Sequence, residues 1–416
     1  METYTLPKAT LQQVLQKHPA TISLFENTHV QRVLNRLQVC RTAKLGYHAY
    51  QCTNENCRYI KYQYHSCRDR HCPNCGAIKK QQWIDARMQE LLPVKYYHVV
   101  FTLPHELNSV VMGHRKLLFK LLFDASAATL LCFAKDHKYL GATPGIISVL
   151  HTWGQQLSFH PHIHCIVSGG GIAGDNNWKT IRNKEGQFLF PVKAMSVVYK
   201  TKFLQALKLM ITRGDVLLPA HTDTAALFNI LYQKAWVVYA KAPFSGPHTV
   251  IEYLGRYTHK VAISNHRIKS INEQEDTVTF DYKDYANGGT QKQMILSGEE
   301  FICRFQQHIL PAWFTKIRTY GYLGNRGRQQ RVNEILKKMK LPLHKEPVSI
   351  PMQIYMFEKY GIDTSQCPCC KNKTLQLVKI YYPWQHDGDG RETIKSLIKI
   401  ISTILRKRNN KLMQHK

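Results

Sequence analysis

Six of the twelve cysteines fall between Cys40 and Cys75, and this clustering constrains the fold more than any other feature of the chain. Cys52 and Cys57 form a Cys-x4-Cys pair, and Cys72 and Cys75 form Cys-Pro-Asn-Cys followed by Gly76. Each pair sits in a tight turn, so its two thiolates can converge on one ion. Fourteen residues separate the pairs, and Arg58-Tyr59-Ile60-Lys61-Tyr62-Gln63-Tyr64 within them predicts a hairpin that brings the two knuckles together. The spacing is that of a zinc ribbon with a structural Zn²⁺ on Cys52, Cys57, Cys72 and Cys75. Cys40, His48, Cys67 and His71 are left over and could make a second Cys2His2 site; Cys67 and His71 could equally be neighbours of the first site or contact DNA. Much further on, Cys367-Pro368-Cys369-Cys370 is half a knuckle with no clear second half after it.

Charge narrows the partners. Lys and Arg number 57 against 28 Asp and Glu, a net charge of +29. Such an excess favours polyanions, and nucleic acid is the commonest. The 22 tyrosines interleave with the cations, a mix that suits single strands, whose bases stack on rings while phosphates meet positive charge. No long basic amphipathic helix points to a membrane surface. Apolar runs such as Leu117 to Phe123 are interrupted by charges well short of the roughly 20 residues a span needs. Residues Met1–Pro7 lack a basic-then-apolar leader pattern. The expectation is a cytoplasmic protein, nucleoid-associated when bound to DNA.

The order of patterns predicts an α+β chain in five parts. A helical lead, 1–38, carries Leu11, Val14, Leu15, Val33, Leu34 and Leu37 at helical spacing, with Pro19 breaking the run. A zinc-binding segment, 39–92, ends in a polar helix from Ile78. A third part, 93–290, opens with a β-branched and aromatic strand at Tyr96–Leu103, stopped by Pro104, followed by an apolar helical region with Leu117, Leu121 and Phe133 as core. Ile146–Trp153 and His162–Ser168 read as a hairpin turning near 155–158. Helices are expected at 194–212 and 222–236, a loop at 241–247, and strands at 261–268 and 276–282. In a fourth part, 291–345, Ser297-Gly298-Glu299-Glu300 is a capping box, and the basic, aromatic, glycine-rich stretch holding Arg318, Arg326 and Arg328 suits a strand or phosphate contact. The last part, 346–416, holds the half-knuckle and a basic helical tail.

His160-Pro161-His162-Ile163-His164 carries the chemistry. In a strand, side chains alternate faces, so His162 and His164 point the same way and can share one divalent cation, while Ile163, Cys165 and Val167 face the core. His160 falls at the strand's start or on an edge because of Pro161. Gly169-Gly170-Gly171 reads as a turn that ends the strand. Among 21 histidines in 416 residues about one His-x-His pair arises by chance, so the motif takes its meaning from the rest of the chain. A turn centred on Gln156-Leu157 puts His151 opposite His162 as a third ligand, with Gln155 as the runner-up. Downstream, a helix from His248 carries Tyr253 and Tyr257, four apart and so on one face, with Arg256 and Lys260 beside them. A cation on His162 and His164 would polarise a scissile phosphate, and a tyrosine hydroxyl would attack in line, leaving a phosphotyrosine and a free 3′-hydroxyl. Arg68 and Arg70 surround the knuckle and would meet phosphate.

Five segments jointly resemble the two-tyrosine HUH transposases of rolling-circle insertion sequences, the IS91 group. They are Ser66–Cys75, Val99–Leu107, His160–His164, Glu252–His259 and Ile317–Gly321. The resemblance covers roughly residues 38–330. It implies an N-terminal zinc-binding domain, an HUH endonuclease domain built on a central antiparallel sheet flanked by helices, and dependence on Mg²⁺ or Mn²⁺. It maps the two tyrosines onto Tyr253 and Tyr257 and the histidine motif onto His162 and His164. It does not place the third ligand, nor the doubled cysteines Cys369 and Cys370. The expected partner is DNA, as single-stranded or hairpin ends of the chain's own element. A replication initiator or relaxase would share the chemistry and differ in its DNA target. A non-catalytic zinc-ribbon nucleic-acid binder would use the same histidines and tyrosines structurally.

Overall fold

The computed structural model describes residues 7–88, 90–181, 189–244, 249–250, 255, 261–343 and 350–383. Its strands, in chain order, are β1 (Tyr47–Cys52), β2 (Ile60–Tyr64), β3 (Tyr96–Thr102), β4 (Thr143–Trp153), β5 (Phe159–Ile172), β6 (Trp178–Thr180), β7 (Val238–Phe244), β8 (Ile268–Asn272), β9 (Thr277–Asp284), β10 (Thr290–Ser297), β11 (Ile317–Gly321) and β12 (Leu375–Tyr381). Among the described residues they form three antiparallel sheets: β12-β1-β2, β10-β9-β8, and a central sheet in the order β11-β4-β5-β3-β7 with β6 against the end of β5. The fold is α+β, with helices flanking the central sheet.

Strand alternation divides the central sheet into two faces. Val99, Phe101, Ile146, Leu150, Ile163, Cys165 and Val167 point to one side and are buried in a single core. Two helices, Arg115–Lys135 and Val192–Thr212, cover that side with Leu118, Phe119, Leu122, Tyr199 and Phe203. The Phe101 and Tyr199 rings meet edge to face at 5.0 Å. Burying each such aromatic or leucine side chain contributes about 1.5–3 kcal/mol, which is what holds the layers together. Helix Arg115–Lys135 is long and apolar enough to cross a membrane, but 67% of its apolar window is buried inside the protein, as a core helix requires. Leu121 and Phe133 are core as expected, whereas Leu117 is 38% exposed, because it falls on the helix's outer side.

The opposite face carries a second, smaller buried cluster among the described residues. Ile147 and Ile166 pack with Leu323, Val332, Ile335 and Leu336, the last three from the helix Arg328–Lys338. That cluster stops at Ile166 and leaves the histidine end of β4 and β5 outside it.

Three local expectations change. The strand expected at 261–268 is not formed there: Asn265–Arg267 makes one tight helical turn, and β8 begins only at Ile268. The glycines Gly169–Gly171 do not turn the chain; they stay within β5. They are needed for close approach: a Cβ on Gly170 would lie 2.3 Å from the Trp178 ring, and one on Gly171 2.5 Å from the Thr143 backbone. The expected loop at 241–247 begins instead as strand: Val238–Phe244 forms an edge strand that pairs Tyr239 with Val100. Pro243 is tolerated there because an edge strand has one side without ladder bonds. Of the expected capping box one half forms: Ser297 accepts from the Glu300 amide at 3.2 Å, while the Glu300 carboxylate accepts from Arg304 at 2.7 Å.

The chain divides into two units, Met1–Leu34 with Gly76–Lys345, and Asn35–Cys75 with Glu346–Lys416. The zinc segment 39–92 and the last part 346–416 are therefore not the separate parts that sequence order suggests. β1 pairs with both β2 and β12, so that Tyr47 lies opposite Tyr64 on one side and Tyr381 on the other. The polar helix Ala77–Met88 belongs to the other unit.

Candidate active site and metal centres

The β4–β5 hairpin turns through residues 154–158, with Leu157 at φ 58 in the left-handed region. Its register sets His151 directly opposite His162. His164 follows on the same face by alternation. Ring centroids are 5.5 Å apart for His151 and His162, 4.9 Å for His162 and His164, and 4.6 Å for His151 and His164. One ring nitrogen from each lies within 4.8 Å of the other two. His151 is buried and stacks on Trp153, while His162 and His164 are half-buried. The backbone carbonyl of Gln155, the other third-ligand candidate, accepts from the Arg267 guanidinium.

Hydrogen bonds set the tautomers. His162 Nδ1 donates to the His160 carbonyl at 2.7 Å, which places the ring's lone pair on Nε2. His160 thus contributes its backbone. His164 Nδ1 lies 2.9 Å from Nε2 of His98 on β3, and the two rings stack with a 7° tilt. His98 is 2% exposed. Burial, helped by the positive charge of Lys241 and by His162, pushes its pKa down to about 3, so its ring is neutral near pH 7. A neutral His98 can accept the His164 Nδ1–H, the arrangement that leaves the His164 lone pair on Nε2. Three imidazoles so arranged fit a divalent cation with positions open to water or phosphate oxygen. An all-nitrogen set suits the later transition ions best, Mn²⁺ less well and Mg²⁺, which prefers oxygen ligands, least.

The cysteines converge in a way the spacing did not predict. Cys40, Cys67, Cys72 and Cys75 form one group, and Cys52, Cys57, Cys367 and Cys370 form another. Sulfur separations are 3.6 Å for Cys67–Cys75, 3.7 Å for Cys52–Cys370 and 3.8 Å for Cys57–Cys367. A disulfide would need about 2.05 Å, whereas four thiolates each about 2.3 Å from a tetrahedral zinc lie about 3.8 Å apart. Sulfur contacts, Cys67 foremost, push the Cys40 thiol down, and contacts led by Cys40 push Cys72 up.

The expected set Cys52, Cys57, Cys72 and Cys75 is therefore not brought together. The β1–β2 hairpin explains why. Cys52 and Cys57 lie at its closed end, while Cys40 precedes β1 and Cys67 follows β2 at its open end. Five or six extended residues hold those ends roughly 15–20 Å apart. Nor do His48 and His71 join Cys40 and Cys67. The His48 ring packs edge-on to His65 at 4.8 Å, and His71 Nδ1 bonds Asp69 at 2.8 Å.

Over residues 145–331 the sequence matches the family described as "Putative transposase", and over residues 10–103 the family described as "Transposase zinc-binding domain". The chain is 40% identical over 367 residues to "Putative transposase y4qJ" of Sinorhizobium fredii, covering 85% of this chain and 90% of that one. The chain belongs to the IS91-group transposases. The transposase for insertion sequence element IS801 of Pseudomonas savastanoi pv. phaseolicola is 29% identical over 312 residues, 74% of this chain and 73% of that one. Conjugative relaxase TrwC complexed with a 27-mer DNA aligns over 27% of this chain and 44% of its own, at 16% identity and a TM-score of 0.21, a likeness too slight to carry weight.

In this transposase the basic residues singled out from sequence separate into two kinds. Arg68, Arg70 and Arg326 are exposed. Arg318 instead stacks over Phe123 at 4.4 Å and Phe314 at 5.5 Å, with Asp124 at 3.8 Å. Its position opposite Ser148 puts it on the helix-covered face, away from the histidines. Arg328 is held by Glu90 at 2.6 Å and Asn325 at 2.7 Å. Tyr253, Tyr257, Arg256 and Lys260 lie outside the described residues. Gly255, between the tyrosines in sequence, is helical and buried, and a Cβ there would meet Ile84 Cδ1 at 2.4 Å.

Sequence reasoning missed His98 and the partners of the half-knuckle. The only sequence signal for His98 is its place in the Tyr96–Thr102 alternation, which becomes informative once β3 is known to lie beside β5.

Proposed function

We propose that this transposase nicks and rejoins single-stranded DNA at the ends of its own element through a covalent 5′-phosphotyrosine intermediate, with Tyr253 and Tyr257 as nucleophiles. The observation that carries the reading is the convergence of His151, His162 and His164 at one end of the central sheet, with His162 and His164 oriented by hydrogen bonds to the His160 carbonyl and His98. A Mn²⁺ or Mg²⁺ ion held by these three side chains would polarise the scissile phosphate and offset its developing charge.

The chain's own groups do the rest. A tyrosine oxygen loses its proton and bonds to phosphorus as the bond to the 3′-oxygen breaks. The 3′-oxygen takes up a proton, and the 5′-phosphate stays on the tyrosine. Because a phosphodiester is exchanged for a phosphodiester, the reverse attack by a 3′-hydroxyl rejoins strands without an outside energy source. Two tyrosines four residues apart allow two transfers without release. DNA binding is further supported by Tyr47, Tyr62, Tyr64 and Tyr381, which gather on one face of the β12-β1-β2 sheet at ring spacings of 5.2–6.1 Å, a surface on which bases can stack.

Incubating purified protein with single-stranded element-end DNA and Mn²⁺ tests this. A covalent adduct should form with wild type and vanish in Tyr253→Phe/Tyr257→Phe. No adduct from wild type, or an equal one from the double variant, overturns the proposal.

A further inference from the structure

We propose that this chain holds two structural zinc ions, and that the second, on Cys52, Cys57, Cys367 and Cys370, staples residues 350–383 into the zinc-binding unit. Cys367 and Cys370 lie outside both stretches that match known families, 10–103 and 145–331. The site takes half its ligands from each of two segments more than 300 residues apart in sequence.

Backbone geometry argues for an ion as strongly as the sulfur distances do. In both groups, a cysteine is repeatedly followed by a residue in the left-handed region. Arg41 after Cys40, Arg58 after Cys57, Arg68 after Cys67, Gly76 after Cys75 and Lys371 after Cys370 have φ between 46° and 98°. Residues with a Cβ avoid this region because the Cβ crowds the following carbonyl, so a repeated left-handed turn needs a reason. What the left-handed residue achieves is visible two positions on: the amides of Tyr59, Asp69 and Asn372 reach the sulfurs of Cys57, Cys67 and Cys370. The same device at both groups is the mark of a second knuckle pair.

The doubled cysteines resolve on the same grounds. Cys370 is in the group and Cys369 is exposed outside it. The segment closes on itself through Cys367 N–H to the Asn372 carbonyl at 2.8 Å and Lys371 N–H to the Cys367 carbonyl at 2.9 Å. Thr374 Oγ1 lies 3.0 Å from the Cys52 sulfur, and β12 then runs antiparallel to β1 with Leu375 opposite Cys52. Apart from the cysteines, the described buried cluster here contains only Leu375, with Tyr50 packed against it. A core that small needs a metal.

Zinc content of the full chain after gel filtration tests this. Wild type should carry two zinc ions per chain, Cys369→Ser two, and Cys367→Ser/Cys370→Ser one. One ion in wild type, or two retained in the double variant, overturns the proposal. Should the double variant unfold and lose both ions, alkylation of native wild type decides. Cys52, Cys57, Cys367 and Cys370 should resist the reagent until a chelator is added, while exposed Cys132 and Cys369 react at once. Reaction of Cys367 and Cys370 at the rate of Cys132 with zinc present overturns it.

Discussion

His98 Nε2 lies 2.9 Å from His164 Nδ1, and the rings stack 5.1 Å apart. The contact joins two adjacent strands on the histidine-bearing face of the central sheet and makes His98 the orienting partner of a candidate ligand. Partners of this kind are worth about 10–100-fold in metal affinity or activity. His98→Ala should therefore weaken Mn²⁺ binding by about that factor in titration calorimetry. His98→Gln keeps an acceptor for the His164 proton and should recover part of the loss. Equal Mn²⁺ affinity in wild type and His98→Ala would falsify the assignment.

Removing a ligand should cost more than removing its support. Each of His151→Ala, His162→Ala and His164→Ala should lower DNA cleavage by about two orders of magnitude, the loss of a few kcal/mol of charge stabilisation. A nitrogen-only donor set also predicts faster cleavage with Mn²⁺ than with Mg²⁺, and none with chelator. Cleavage kinetics across the three variants and two metals check this; a His151→Ala variant as active as wild type removes His151 from the site.

Gly255 is set against Ile84 with no room for a methyl group. Gly255→Ala should strain that contact by about 1–3 kcal/mol, as overpacking does. The expected result is slower adduct formation at unchanged zinc content and Mn²⁺ affinity. Ile84→Ala in the same chain should restore the rate, since it makes the missing space. Failure of that rescue would separate Gly255 from the packing argument.

Arg318 and Arg68 should behave oppositely. Arg318→Ala loses the contacts with Phe123 and Phe314 and should cost about 0.5–2 kcal/mol in urea unfolding, with DNA affinity unchanged. Arg68→Ala should leave stability alone, weaken DNA binding across sequences, and lower the salt slope of binding by about 1. A salt series on both variants reads the difference directly.

Much of the candidate active site is legible in the sequence. Alternation alone puts His162 and His164 on one face and Ile163, Cys165 and Val167 on the other, and the hairpin turn aligns His151 with His162. These relations span about twenty residues and follow from the period of a strand and the position of a turn. The zinc ligands are legible only as residue types. Spacing pairs Cys52 and Cys57 with Cys72 and Cys75, and the β1–β2 hairpin sends those pairs to opposite ends.

The sequence by itself determined the α+β mix, the basic partner surface, the density of thiols and the shared face of the histidines, because each is a property of composition or of short periodic stretches. Only the tertiary structure decided that Cys367 and Cys370 complete the group begun by Cys52 and Cys57, that His98 backs His164, and that Arg318 is spent on aromatic rings. Those choices depend on which strands become neighbours. Strand order is settled by burial of whole faces across hundreds of residues, a balance that no local pattern records.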